Sequence, residues 1–113
     1  LTNEYLTLQN QQINIWQASP LYMGLLGSKL ETYIKEHPSW IPQTHIQRAI
    51  ELNEYCKKTT VSISALALHF VYDNPLIYKM VLGASNFSEL KQSLEWLDDK
   101  VLISTNQIPD FTI

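Results

Sequence analysis

The chain has 113 residues, 45% of them hydrophobic, with three glycines, five prolines and a net charge of −3. Such a composition supports one domain that buries a core and argues against disorder, while the absence of a Lys/Arg cluster argues against nucleic acid, whose binding rests on phosphate neutralisation. No apolar run reaches the roughly 18 residues of a membrane span, no signal peptide opens the chain, and the single Cys56 cannot form an internal disulfide, so no membrane partner and a reduced, cytoplasmic setting are expected.

Leu1 to Gln9 reads as a helix end with Leu1, Tyr5 and Leu8 on one face, and Ile13 to Ala18 as a short strand. Leu25 to Pro42 mixes Gly27, Pro38 and Pro42 with polar residues, a long connection holding a short helix over Lys29 to Lys35. Loops of this length in compact domains are functional or mobile. The next helix starts with Thr44 as cap and Gln47 at capping-box spacing, with Pro42 blocking extension backwards. Ile46, Ala49, Ile50, then Leu52 or Asn53, and Cys56 keep an apolar stripe until Lys57 and Lys58 favour the carboxyl end. Ser62 caps a further helix with Ile63, Leu66, Ala67 and Phe70 inward, which stops before Pro75. Ile77 to Leu82 reads as a short buried strand. Asn86 or Ser88 caps a last helix whose Leu90, Leu94 and Leu97 face inward. Residues 1–100 form the folded part, and Val101 to Ile113, without a strong period, an extended tail whose Ile108, Pro109 and Phe111 are able to fold back over apolar surface.

Two segments carry the chemistry. Gln17-Ala18-Ser19-Pro20-Leu21-Tyr22-Met23-Gly24-Leu25-Leu26 and Val81-Leu82-Gly83-Ala84-Ser85-Asn86-Phe87-Ser88-Glu89-Leu90 each run from apolar to small and hydroxyl residues, the form a barrel strand takes where its loop cradles a phosphate. Together they resemble the last two strand-loop units of the aldo-keto reductases. Within that family the chain is most similar to the L-galactose and D-arabinose dehydrogenase branch, in which Ala-Ser-Pro-Leu-x-Met-Gly-Leu-Leu is also followed by Trp-x-Pro, here Trp40-Ile41-Pro42. The likeness runs from about Gln12 to Leu97.

The resemblance implies an α/β fold, the carboxy-terminal part of a (β/α)8 TIM barrel with strands 7 and 8 and their helices, largely helical as an isolated fragment. A complete barrel needs roughly 250 residues. The family's catalytic Asp, Tyr, Lys and His come from earlier strands, and no segment here resembles those motifs. No catalytic residue is therefore assigned, and the isolated chain is expected to be inactive. Leu1 in place of an initiating Met points to processing, proteolysis or a cloning boundary.

By resemblance, Ser19 and Leu21 lie beside the cofactor pyrophosphate, and the backbone through Met23 and Gly24 closes over it. Ala18 stands where many members place an aromatic that stacks on the nicotinamide. Gly83, Ala84, Ser85 and Asn86 match the turn that holds the adenosine half, and Glu89 occupies the position of an Arg that meets the 2′-phosphate in NADP-preferring members. A carboxylate repels that phosphate and accepts from a free 2′-hydroxyl, which favours NAD over NADP. Gln92 and Ser93 fall where the family reads the adenine edge with Glu and Asn. Tyr22 and Trp40 are the candidate contacts for an aldose or other small carbonyl substrate.

Each signal has a plainer reading as well. Ser19-Pro20-Leu21 alone is a turn after a strand, Asn86-x-x-Glu89 is a helix capping box, and Trp40 lies buried under its loop. His37, His45 and His69 lack zinc-site spacing, with His69 expected to be partly exposed, and Ser19 has no recognisable base. Trp16 and Trp96 are expected in the core or an interface. A second class of function is a non-catalytic remnant that self-associates as a homo-oligomer to cover open strand edges.

Overall fold

A computed structural model describes residues 2–98. Leu1 and the tail from Val101 to Ile113, with Ile108, Pro109 and Phe111, lie outside the described residues. The elements are α1 (Thr2–Asn10), β1 (Trp16–Ala18), α2 (Leu30–Glu36), α3 (Gln43–Thr59), α4 (Ile63–Tyr72), β2 (Lys79–Val81) and α5 (Phe87–Asp98). The fold is thus α/β and mostly helical. None of these helices is long and apolar enough to cross a membrane.

The two strands pair in parallel, Trp16 with Lys79, Gln17 with Met80 and Ala18 with Val81, and the Tyr78 amide extends the ladder to the Ile15 carbonyl at 2.8 Å. Parallel pairing requires a crossover, and here everything from the loop after β1 through α4 forms it. That crossover carries the core. Leu25, Leu30, Tyr33, Ile41, Ile46, Ala49, Cys56, Ile63 and Leu66 pack into one cluster drawn from the β1 loop, α2, the α2–α3 connection, α3 and α4. Burial also pushes the Cys56 thiol up from its ordinary value, which keeps it protonated and inert.

Local chemistry explains where the helices stop. Gln12, His37 and Thr60 all adopt left-handed backbone after α1, α2 and α3, and the His37 and Thr60 amides return to the Tyr33 and Cys56 carbonyls, so polar residues serve where glycine is commoner. Ser62 caps α4 as its sequence position indicates, its hydroxyl accepting from the amides of Ser64 and Ala65.

Several sequence expectations are corrected. Helix α3 begins at Gln43, not after a Thr44 cap, because Pro42 at φ −56° and ψ 138° is itself the flanking residue and its carbonyl accepts from the His45 and Ile46 amides. The strands are half the expected length and expose both end residues, so β2 is not a buried strand and Trp16, 62% exposed, is not in the core. Phe70 is 58% exposed, whereas Ile63 to His69 are all buried, so α4 is enclosed nearly all round rather than along one stripe. On α5 only Ser93 is buried. Leu90 and Leu94 instead line an open groove of about 610 Å³ with Met80, Leu82 and Tyr78.

His69, expected to be partly exposed, is 4% exposed and joins α4 to α5. Its Nε2 lies 2.7 Å from the Trp96 carbonyl and its Nδ1 3.1 Å from the Asp73 carboxylate. Replacing His69 with Ala would remove the ring's bond to the Trp96 carbonyl and open a cavity between the two helices. The expected cost is about 2–4 kcal/mol of unfolding free energy, measured by urea denaturation, and a change within about 0.5 kcal/mol would show that the ring does not join them.

Candidate functional site

Because Ala18 pairs with Val81 at the ends of two parallel strands, the loops that follow rise from one edge of the sheet. This is where open α/β sheets and barrels bind ligands. The first loop turns sharply. Ser19, Tyr22 and Met23 have φ of 52°, 51° and 54°, and Gly24 follows at 89°. Three non-glycine residues in left-handed backbone cost about 1–3 kcal/mol each, so the surroundings must hold them.

Side chains from three helices do so. The Tyr33 hydroxyl of α2 donates to the Met23 carbonyl at 2.7 Å, the Tyr22 hydroxyl meets His45 Nδ1 of α3 at 2.7 Å, and the Ser64 hydroxyl of α4 donates to the Leu26 carbonyl at 3.0 Å. Leu25, buried to 2% exposure, roots the loop in the core. A Cβ at Gly27 would come within 2.7 Å of Ser64 Oγ, so a side chain there would push the Ser64 hydroxyl off its bond to the Leu26 carbonyl. Within the loop, amides of Tyr22, Gly24, Leu25 and Leu26 bond to loop carbonyls, whereas those of Leu21 and Met23 have no acceptor among the described residues.

The second loop is open. Gly83, Ala84, Ser85 and Asn86 are exposed, and a Cβ at Gly83 would meet nothing within 4 Å. Asn86 Oδ1 accepts from the Glu89 amide at 2.9 Å, while one Glu89 carboxylate oxygen accepts from the Ser85 amide at 2.8 Å and the Ser85 hydroxyl at 2.7 Å. This is a capping box reaching one residue further back than usual. The Ser85 amide and hydroxyl hold the Glu89 carboxyl below its ordinary value, with a smaller contribution from the Lys29 charge.

Lys29 lies against the first loop: its stem covers Gly24, with carbons 3.0–3.2 Å from where a Cβ would lie, and its charge makes a minor contribution at Glu89. Ser19, Leu21, Met23 and Gly24 therefore share one loop, and Gly83 to Asn86 with Glu89 the other. Gln92 is exposed on α5, but Ser93 is buried and presents nothing to solvent. Trp40 is 54% exposed, not buried under its loop, and stands edge-on to Tyr33 with ring centroids 5.5 Å apart. Tyr33 thus touches both Trp40 and the first loop. Lys29, Tyr33, His45 and Ser64 were not singled out from sequence, since each acts across 10 or more residues or through burial that no local motif encodes.

The aldo/keto reductase family matches residues 3–112. The chain belongs to the aldo/keto reductase family. No match is found among curated proteins. The first loop thus combines left-handed backbone, two amides without an acceptor among the described residues and a lysine stem beside Gly24, an arrangement suited to an anion.

The Glu89 shift has a testable sign. A folded-state value below the unfolded one means that the Ser85–Glu89 clasp contributes fully above the ordinary carboxylate range and is lost as the pH falls through the lowered folded value. In an NMR titration the Glu89 carboxylate should have a lower midpoint in the folded chain than in the urea-unfolded chain, and the Ser85 amide should report the same midpoint as Glu89. Equal folded and unfolded midpoints for Glu89 would show that the clasp does not form.

Proposed function

We propose that this chain is the dinucleotide-holding, carboxy-terminal portion of an aldo/keto reductase barrel, with β1 and β2 as the seventh and eighth strands. It belongs on this reading with the L-galactose and D-arabinose dehydrogenases and works in the cytoplasm on an aldose or other small carbonyl compound. The observation that carries the reading is the common end of the ladder at which Ala18 pairs with Val81, because it starts the two matched loops side by side, with the Lys29 stem against the first of them.

The residues present fit a dinucleotide. The amides of Leu21 and Met23, free of protein acceptors among the described residues, face the task of holding a pyrophosphate, and Lys29 supplies the positive charge. Ser19 adds a hydroxyl beside them. Glu89 sets the preference for NAD: its carboxylate already occupies the Ser85 amide and hydroxyl that a 2′-phosphate would need, and its own charge repels that phosphate. Gln92 offers an exposed amide toward the adenine end. Bound here, the nicotinamide would exchange a hydride with the substrate carbonyl carbon. Ala18 gives its ring no aromatic partner, and Trp40, exposed beside Tyr33, offers a flat apolar face for a sugar ring. The family's Asp, Tyr, Lys and His have no counterpart in these 113 residues, so the contribution of this chain is binding rather than proton transfer.

A second reading, self-association as a homo-oligomer, draws on a different observation. Trp16, Tyr78 and Val81 are exposed around a two-stranded sheet, next to the groove lined by Met80, Leu82, Leu90 and Leu94. Calorimetric titration with NAD, NADP and ADP-ribose, with light scattering on the same sample, separates the readings. Saturable binding of NAD and ADP-ribose, with Glu89→Arg shifting preference toward NADP by about tenfold or more, is the expected result. Absence of binding up to millimolar ligand, together with a stable dimer, would favour the second reading.

A further inference from the structure

The first loop is held by a contact that the family resemblance does not require: a phenol–imidazole pair between the loop and the first turn of α3. Tyr22, at φ 51°, points its hydroxyl at His45 Nδ1 over 2.7 Å, with the rings edge to face at 84° and 5.5 Å between centroids. The pair is half-buried, and Met23, the next residue, is pinned by the Tyr33 hydroxyl through its carbonyl. The loop is thus gripped in both directions, by a phenol it sends out to α3 and by a phenol it receives from α2.

We propose that Tyr22 and His45 are positioning residues that keep the left-handed Tyr22-Met23-Gly24 segment in its ligand-ready form. This rests on the dinucleotide reading for its consequence but not for its structural content. Left-handed backbone at Tyr22 and Met23 reverts to ordinary dihedrals unless something opposes it. A turn that relaxes takes the Leu21 and Met23 amides with it, and their alignment is what an anion would use. With the ring neutral and its proton on Nε2, Nδ1 accepts the Tyr22 hydroxyl, so the bond runs from loop to helix. Preorganisation of this kind raises affinity by removing the cost of ordering the loop when ligand arrives. Tyr22 accordingly serves the site through its grip on α3, with its hydroxyl engaged there.

The test uses the full chain and the variants Tyr22→Phe, His45→Phe and His45→Asn. Asn places an amide oxygen close to the position of Nδ1 and keeps an acceptor, whereas Phe keeps the ring volume and loses it. A role in filling space alone would be preserved by His45→Phe and lost by His45→Asn; the positioning role gives the reverse. Amide hydrogen exchange of Gly24, Leu25 and Leu26 should quicken by about fivefold to tenfold in Tyr22→Phe and His45→Phe, the size of one hydrogen bond, and stay near wild type in His45→Asn. Exchange in the centre of α3 should be unchanged in all three. NAD affinity by calorimetry should fall in the same order and by a similar factor. Unchanged loop exchange in both Phe variants overturns the proposal, and so does faster exchange with unchanged NAD affinity. Should the wild-type chain bind no NAD, the dinucleotide reading fails, and the exchange pattern alone decides whether Tyr22 and His45 hold the loop.

Discussion

Everything distinctive in this molecule depends on one small ladder, the parallel pairing of Trp16–Ala18 with Lys79–Val81. Two strands of three residues contribute little stability themselves, since an isolated strand pair is marginal in water. Their importance is geometric. Parallel pairing forces 60 residues of crossover between them, those residues become three helices with one core, and the carboxyl ends of both strands are delivered to the same edge. An antiparallel pairing of the same segments would have sent the Ser19 and Gly83 loops to opposite ends.

The site is also inseparable from the core. In many folds a binding loop is appended to a finished scaffold, whereas here the loop after β1 supplies Leu25, one of the most deeply buried residues, and takes its shape from hydroxyls on α2 and α4 and an imidazole on α3. The strain at Ser19, Tyr22 and Met23 is carried by the same packing that stabilises the domain. Rigidity of the first loop and openness of the second are therefore different in origin: the first is tied to three helices, and the second is held, among the described residues, by the Ser85–Glu89 and Asn86–Glu89 bonds at the start of α5.

Local signals in the sequence held at most helix ends, though not at the Thr44 cap, where Pro42 took the flanking position. Ser62 capping α4, Lys57 and Lys58 ending α3, Asn86 opening α5 and the short helix near Lys29 all follow from residue chemistry within a turn or two. Periodicity misled on α4 and α5 because it assumes one buried face. Helix α4 is enclosed from Ile63 to His69, so Phe70 could be outside without breaking the fold, and α5 is tied to α4 through His69 and the Trp96 carbonyl, with Leu90 and Leu94 lining the groove beside β2. A histidine among apolar neighbours gave no hint of the Trp96 carbonyl 27 residues away. The loops of the site were legible as motifs, but the residues that shape them were not, since Tyr22 with His45 and Ser64 with Leu26 are joined only by the tertiary fold.

The exposure of the ladder bears on how such a site would work. Trp16, Tyr78 and Val81 are large, apolar and uncovered on strands with one neighbour each, and the groove beside β2 continues that surface to Leu90 and Leu94. Residues of this kind on a strand are suited to having neighbours on both sides, as in a closed barrel, where no edge remains. The candidate site lies at the carboxyl end of these strands, so a neighbour added beside either of them would also limit water around the loops above. Charge interactions such as that of Lys29 with Glu89 are weak at a wet surface and grow as water is excluded. Completion of the sheet would then also be a gain in electrostatic strength: the loops are already shaped by the helices beneath them, and a flanking surface would add a drier environment in which the amides, Lys29 and Glu89 act more strongly.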